Sequence, residues 1–305
     1  MTLQGIKAEI GWRLHGLAYA IEVCNECRLS CPTCPQGIGE RYKEMMGVDM
    51  FMQVLERALS QSKIRELMLY KWGDPLLHPD LDTLCREAVH RGVLTKLSTT
   101  MNNIDCDLKK VMLTGVSTFF VSFSGWDHYG LGHRGGNLER VLRNIDYLCN
   151  LRRHPDTKIV MRFLKYKYNE HELGRAADYC TERGIIFRPY NAFWAPVYKI
   201  IDGTIRLKDL AIIEQFNESL GEKIKRLGNP DFCYCQSKTI SIDAYGDVYL
   251  CGAVGYAERF KVGHFLTMPL SDIRRAMKAH PYCIRCKSLG MSLYRQDGIT
   301  ERSFK

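Results

Sequence analysis

The sequence predicts an α/β fold, a series of six strand-and-helix units followed by a small hairpin-plus-helix unit, and three observations predict it. Short apolar runs alternate with amphipathic stretches from Leu17 to Tyr190, the rhythm of successive βα units. The amphipathic stretches stop at glycines, as at Gly92 and Gly184, where a helix ends most easily in a left-handed turn. After Tyr190 the rhythm gives way to an aromatic-rich stretch with Phe193, Trp194 and Tyr198, and later to the breaker Gly228-Asn229-Pro230.

Taken in order, the strands fall at residues 18–23, 66–70, 94–99, 118–123, 158–166 and 185–190, several of them rich in Val, Ile, Phe or Tyr. Between them lie helices at 49–60, with Asp49 as N-cap, at 80–91 and at 170–183. Six such units make a parallel sheet that is either open and doubly wound or curled into a partial TIM-like barrel. Periodicity leaves both open, and both place a site at the C-terminal strand ends. A helical segment near 207–227 follows. Then comes a hairpin, 239–243 and 247–250 around Ala244-Tyr245-Gly246, a helix near 271–279 and a polar tail. The expected division is a core at 1–200, a helical linker at 201–230, a cysteine-bearing unit at 231–290 and a tail at 291–305.

With 305 residues, 46% hydrophobic and 25% charged, the chain buries a substantial core, which excludes disordered and collagen-like classes. No apolar run approaches the ~18 residues of a membrane span, and the first 20 residues lack the zones of a signal peptide. A cytoplasmic protein without a membrane partner is expected. The net charge of +9 comes from scattered residues and not from a basic block, which argues against a nucleic-acid partner. Thirteen cysteines, in a chain with no export signal, read as metal ligands or buried thiols and not as disulfides.

Directly after the first strand stands Cys24-Asn-Glu-Cys27-Arg-Leu-Ser-Cys31-Pro-Thr-Cys34-Pro, four thiols within eleven residues. Two C-x2-C pairs can hold zinc, but zinc ribbons separate their pairs by about a dozen residues or more, and here three intervene. Cys27-x3-Cys31-x2-Cys34 supplies instead three thiolates to a [4Fe-4S] cluster, with one iron open. This motif, in the loop after the first strand of a six-unit βα domain, resembles that of the radical S-adenosylmethionine (radical SAM) enzymes over roughly 17–190. The resemblance implies a partial (β/α)6 TIM-like barrel in which the open iron chelates S-adenosylmethionine. Electron transfer then yields methionine and a 5′-deoxyadenosyl radical that takes a hydrogen atom from substrate. It implies an electron donor such as flavodoxin or ferredoxin as well.

Trp72-Gly73-Asp74-Pro75 resembles the family's Gly-Gly-Glu-Pro motif, whose backbone receives the methionine amino group, with Trp in place of the first Gly and Asp in place of Glu. By the same resemblance Ser122 and Ser124, at the end of the fourth strand, lie where a hydroxyl meets the cofactor, and Arg162 lies where a cation pairs with its carboxylate. A structural serine and a surface arginine are the alternative. Thr33 departs from the aromatic residue the family usually carries before its third cysteine.

A second set, Cys235-x10-Gly246-x4-Cys251 with Cys283-x2-Cys286, resembles the twitch module, a shortened SPASM domain. The resemblance implies four thiolates, Cys235, Cys251, Cys283 and Cys286, on one auxiliary [4Fe-4S] cluster; zinc is the alternative. Five cysteines lie here, so one is spare: Cys233 by motif spacing, or Cys251 if Cys233 and Cys235 both ligate. A spare thiol near a substrate radical is a hydrogen donor, unless it is simply buried. Cys85, Cys149 and Cys180 fall on helical patterns as core residues, and Cys24 and Cys106 have no evident task. The loop residues Ser124 to Tyr129 and His133 to Asn137, and then Tyr190, Asn191 and Trp194, are candidates for substrate contact or for plain turns and packing.

Twitch-bearing enzymes include carbohydrate and aminocyclitol dehydrogenases, with aminoglycoside epimerases as related enzymes. Only 26 residues precede Cys27, too few for a leader-peptide-binding domain, so a small polar substrate such as a sugar or aminocyclitol is expected. Epimerisation with a cysteine hydrogen donor competes with two-electron dehydrogenation. Peptide modification is the alternative activity, and a non-catalytic zinc or iron-sulfur protein is the alternative of another class.

Overall fold

The computed structural model describes residues 16–39, 43–152, 157–219, 221–222, 225 and 233–293. The expected breaker at 228–230 and the tail beyond 293 lie outside the described residues. Six parallel strands form in the expected order: β1 (Leu17–Ile21), β2 (Ile64–Met68), β3 (Thr95–Thr99), β4 (Thr118–Phe123), β5 (Lys158–Lys165) and β6 (Ile186–Asn191). Each pairs with the next. The intervening helices are α1 (Val48–Gln61), α2 (Leu81–His90), α3 (Leu108–Leu113), α4 (Leu138–Leu151) and α5 (Leu173–Glu182).

The side-chain alternation of a strand sorts the sheet into two unlike faces. Tyr19, Leu67, Leu97, Phe119, Val121, Met161 and Phe163 are buried in one core with Phe51, Leu84, Val111, Ile145 and Cys180 from the five helices. The alternate positions carry Glu66, Lys96, Ser122 and Arg162. On that face Lys96 Nζ lies 2.5 Å from Glu66 Oε2, and Arg162 stacks 3.4 Å from the centre of the Phe120 ring. One face is therefore apolar and the other polar, as an open α/β half-barrel with an inner lumen requires.

The C-terminal unit continues the same sheet. Strand β7 (Thr239–Ile242) pairs parallel to β1, and β8 (Asp247–Tyr249) and β9 (Lys261–His264) follow antiparallel, giving the order β6-β5-β4-β3-β2-β1-β7-β8-β9. Helices α6 (Leu270–Ala279) and α7 (Pro281–Ser288) close the described residues, apart from a short 3-10 turn at Met291–Leu293. Strand β9 is absent from the sequence reading, because Lys261-Val-Gly-His264 has neither length nor alternation to mark it.

Several boundaries differ from expectation for local reasons. Helix α1 begins one residue before Asp49 with Gly47 as N-cap, and Asp49 sits in the first turn, where its charge complements the helix dipole. The expected helix at 170–183 divides into a 3-10 turn (Lys167–Glu172) and α5. Strand β2 ends at Met68, two residues early, because the chain then bends toward the cysteine loop. Gly92 and Gly184 end their helices at φ +73 and +61, as the sequence predicts.

Candidate functional site

The first site forms where β1, β2 and β3 end. Cys27, Cys31 and Cys34 stand on the β1 loop, which closes in a tight 3-10 turn (Pro35–Ile38). Gly37 packs so closely that a Cβ there would lie 1.9 Å from the Cys31 carbonyl oxygen. Burial, then Asp74, pushes the Cys27 thiol up to about 12. Burial, then Cys34 and Cys27, pushes Cys31 well above the ordinary thiol range. Three thiols that oppose one another's ionisation need a cation among them to become thiolates, and a bound metal supplies one. The donor set therefore fits an iron-sulfur cluster held from three sides.

The turn after β2 is pressed against this loop. A Cβ on Gly73 would lie 2.1 Å from the Cys24 carbonyl oxygen, so only glycine fits. Asp74 N donates to the Glu26 carbonyl at 2.9 Å. Asp74 itself is buried, which raises its pKa against several hydrogen bonds. Its carboxylate accepts from Leu76 N (3.2 Å), Thr99 Oγ1 (3.0 Å), Thr100 N (3.0 Å) and Thr100 Oγ1 (3.0 Å). Asp74 thus joins the ends of β2 and β3, and the 73–74 backbone lines the cysteine loop.

Ser122 and Arg162 are directly paired across β4 and β5, with Arg188 next in the same row on β6. Parallel pairing puts all three on one face. Ser124 is placed differently: its hydroxyl is buried, 2.7 Å from His133 Nδ1 and 3.3 Å from the Tyr129 carbonyl oxygen. Burial pushes His133 down to about 4, so it stands neutral. The 124–137 loop holds itself together through Ser124, Tyr129 and His133, the last two stacked at 5.0 Å. Trp194 is wholly buried in the second apolar cluster.

The second site is one cavity lined by Cys233, Cys251, Cys283 and Cys286, with Val254 and Tyr282 among its walls. Cys235 is not in that lining. It lies within the short helix Tyr234–Lys238, while Cys233 is that helix's extended N-cap. The sequence spacing makes Cys235 a ligand and leaves Cys233 spare; here Cys233 lines the cavity, with Cys235 hydrogen-bonded beside it. A hydrogen bond from Cys235 holds Cys233 down at about 7, despite its burial. Burial, then Cys251 and Cys233, pushes Cys283 up to about 12, and the same three causes raise Cys286. Ala253 N donates to Cys251 Sγ at 3.4 Å, the kind of contact that stabilises a sulfur carrying negative charge. Four thiols lining one cavity, two of them raised by burial and by their neighbours, fit an iron-sulfur cluster as the first set does.

Cys85 and Cys180 are buried and Cys149 packs against the same core. Cys24 is buried, 3.8 Å from the Glu26 carbonyl oxygen. Sequence reasoning missed Glu22 and Tyr256. Glu22 is buried at the end of β1, and burial raises its pKa. It accepts from Trp72 N (2.8 Å), Gly73 N (3.1 Å) and Tyr256 Oη (2.5 Å). A carboxylate closing an apolar strand, two residues before a cysteine motif, was the available signal, since a buried charge demands partners.

Known proteins share this fold. A curated relative, the 7,8-dihydro-6-hydroxymethylpterin dimethyltransferase of Methanocaldococcus jannaschii, is 26% identical over 210 residues; the match covers 64% of this chain and 41% of that relative's length. Among solved structures, Streptococcus suis SuiB bound to S-adenosylmethionine superposes with a TM-score of 0.62 at 16% identity, covering 92% of this chain and 72% of that one. The anSMEcpe structure with bound AdoMet gives 0.57 at 14% identity, covering 90% and 87%. BtrN in complex with AdoMet and 2-DOIA gives 0.50 at 13% identity, covering 92% and 89%. At such identities these likenesses show the fold. The Radical SAM superfamily model matches residues 21–180, a span that runs from the end of β1 through the cysteine loop to α5 and exceeds half the chain; the chain belongs to that superfamily.

Proposed function

We propose that the chain is an enzyme that removes a hydrogen atom from a small polar substrate, a sugar, aminocyclitol or aminoglycoside-like molecule, and completes the reaction as an epimerisation or a two-electron dehydrogenation. The observation that carries this reading is the pairing of a half-buried three-thiol loop with a polar inner sheet face at the same strand ends. A bound [4Fe-4S] cluster would supply the electron for reductive cleavage of S-adenosylmethionine, the source of a 5′-deoxyadenosyl radical. Cys27, Cys31 and Cys34 hold three of its irons. The backbone of Trp72, Gly73 and Asp74 receives the methionine ammonium. Ser122 and Arg162, side by side across β4 and β5, take the methionine carboxylate, for which a guanidinium is the natural partner. Ser124 is given a place in the 124–137 loop, where its hydroxyl meets His133.

In the C-terminal cavity, Cys233, Cys251, Cys283 and Cys286 hold an auxiliary [4Fe-4S] cluster, and Cys235 is the spare thiol. Dehydrogenation would need an acceptor for the second electron, which a cluster held there would supply, whereas epimerisation would need a thiol hydrogen donor. The fold of BtrN, whose structure contains 2-DOIA, supports a small polar substrate. Peptide modification is the second reading, favoured by the structural likeness to SuiB bound to precursor peptide SuiA, TM-score 0.61. Anaerobic reconstitution tests the proposal: the reduced chain should form 5′-deoxyadenosine from S-adenosylmethionine. Incubation with aminocyclitols in deuterated buffer then distinguishes the outcomes. One deuterium at an inverted carbon marks epimerisation, a ketone without label marks dehydrogenation, and no turnover of any small substrate with turnover of a peptide favours the second reading.

A further inference from the structure

Buried Glu22 and Trp72 and half-buried Tyr256 form one hydrogen-bonded unit between the two cysteine sites. The Glu22 carboxylate takes both the Trp72 and the Gly73 amide hydrogens. A trans peptide is planar with its N–H and C=O opposed, and the described residues contain no cis peptide. The two amides directed at Glu22 therefore turn the Lys71 and Trp72 carbonyls away from it. The third plane is set by Asp74 N on the Glu26 carbonyl. Three successive carbonyls, of Lys71, Trp72 and Gly73, are thus fixed in direction, and with the Trp72–Asp74 backbone they make the cradle that the proposed function assigns to the methionine ammonium.

The other end of the unit belongs to the segment that carries Cys251. Tyr256 Oη donates to Glu22 at 2.5 Å, and the Trp72 indole Nε1 donates to the Val254 carbonyl at 3.4 Å. Val254 and Cys251 both line the C-terminal cavity. The Tyr256 ring also lies 4.0 Å under the Lys71 ammonium, the residue whose carbonyl begins the cradle. The tryptophan that replaces the family's first glycine is the residue that reaches across.

We propose that Glu22, Trp72 and Tyr256 are positioning residues that couple occupancy of the C-terminal cysteine cavity to S-adenosylmethionine affinity at the N-terminal site. This rests on the function proposed above. Filling the cavity fixes Cys251 and with it the 251–256 segment; that segment holds Tyr256 on Glu22 and Val254 on Trp72, and Glu22 holds the cradle carbonyls in place. Coupling between sites is a free energy that a thermodynamic cycle reads directly.

The test uses the full chain, anaerobically reconstituted, with iron content and the S-adenosylmethionine Kd by equilibrium dialysis as readouts. Tyr256→Phe removes only the hydroxyl, and Trp72→Phe keeps an aromatic ring while removing the indole donor. Each is expected to raise Kd about fivefold or more with iron unchanged, and to have less than about a twofold effect when Cys283 and Cys286 are both changed to Ala. Kd values within about twofold of the parent for both variants, or equal effects in both backgrounds, overturn the coupling. A parent chain that takes up iron but binds no S-adenosylmethionine instead overturns the functional reading, and the coupling with it.

Discussion

The two cysteine sites differ in how the chain builds them. Cys27, Cys31 and Cys34 occupy one loop of eight residues after a single strand, so they are neighbours in the chain before any packing, which then ties the loop to Asp74, Arg134 and Ala195. Cys233, Cys251, Cys283 and Cys286 come from a helix N-cap, a strand-end segment and α7, and meet only when β7 and β8 have joined the sheet and α7 has packed. A local site is legible from spacing and tolerates changes elsewhere. A site assembled from distant segments depends on the packing around it, and spacing alone leaves open which of Cys233 and Cys235 is its member.

Changing Cys27, Cys31 and Cys34 together to Ala gives the largest expected effect. 5′-Deoxyadenosine formation should fall below detection while iron falls from about eight to about four per chain, the second cluster being left in place. Loss of all iron would show that the sites are not separable and would break the comparison.

Within the assembled site, Cys233→Ala should remove about four irons per chain, and Cys235→Ala should leave iron content unchanged. Iron analysis and the ultraviolet-visible spectrum check both. The reverse result would return the ligand assignment to motif spacing.

Gly73→Ala sharpens the contrast from the local side. The new Cβ meets the Cys24 carbonyl and the Asn25 backbone, which cannot give way as a flexible side chain would. A loss of about 1–3 kcal/mol in stability is expected from such overpacking, with weaker S-adenosylmethionine binding; denaturant unfolding and dialysis read the two.

The smallest effect concerns the loop after β4. His133 has its pKa depressed by burial from 6.5 to about 4. Its neutral form contributes stability that is fully present above pH 6.5 and is lost as the pH falls toward about 4, because the unfolded chain binds the proton more readily. His133→Gln should flatten the decline of Tm over that interval by a few degrees, with Tm at pH 8 as the control. An unchanged slope would show that His133 carries none of the acid sensitivity.

The fold was largely legible. Six strands, the glycine stops and the site at the strand ends follow from alternation and from Gly92 and Gly184, because each depends on near neighbours in the chain. Strand β9, only Lys261–His264, was not legible, since four residues with one glycine carry no periodic signal. The hairpin was visible at 239–250, but its continuation of the core sheet beside β1 was not.

Sequence by itself determined the N-terminal cysteine trio, the glycine of the turn after β2 and the opposite faces of each strand, because spacing and backbone sterics act over a few residues. Tertiary structure alone decided that Cys233 lines the C-terminal cavity, that the Ser124 hydroxyl meets His133, and that Glu22 meets Tyr256 across 234 residues. Buried polar groups must find partners wherever packing brings them, and no spacing rule along the chain says which ones those will be.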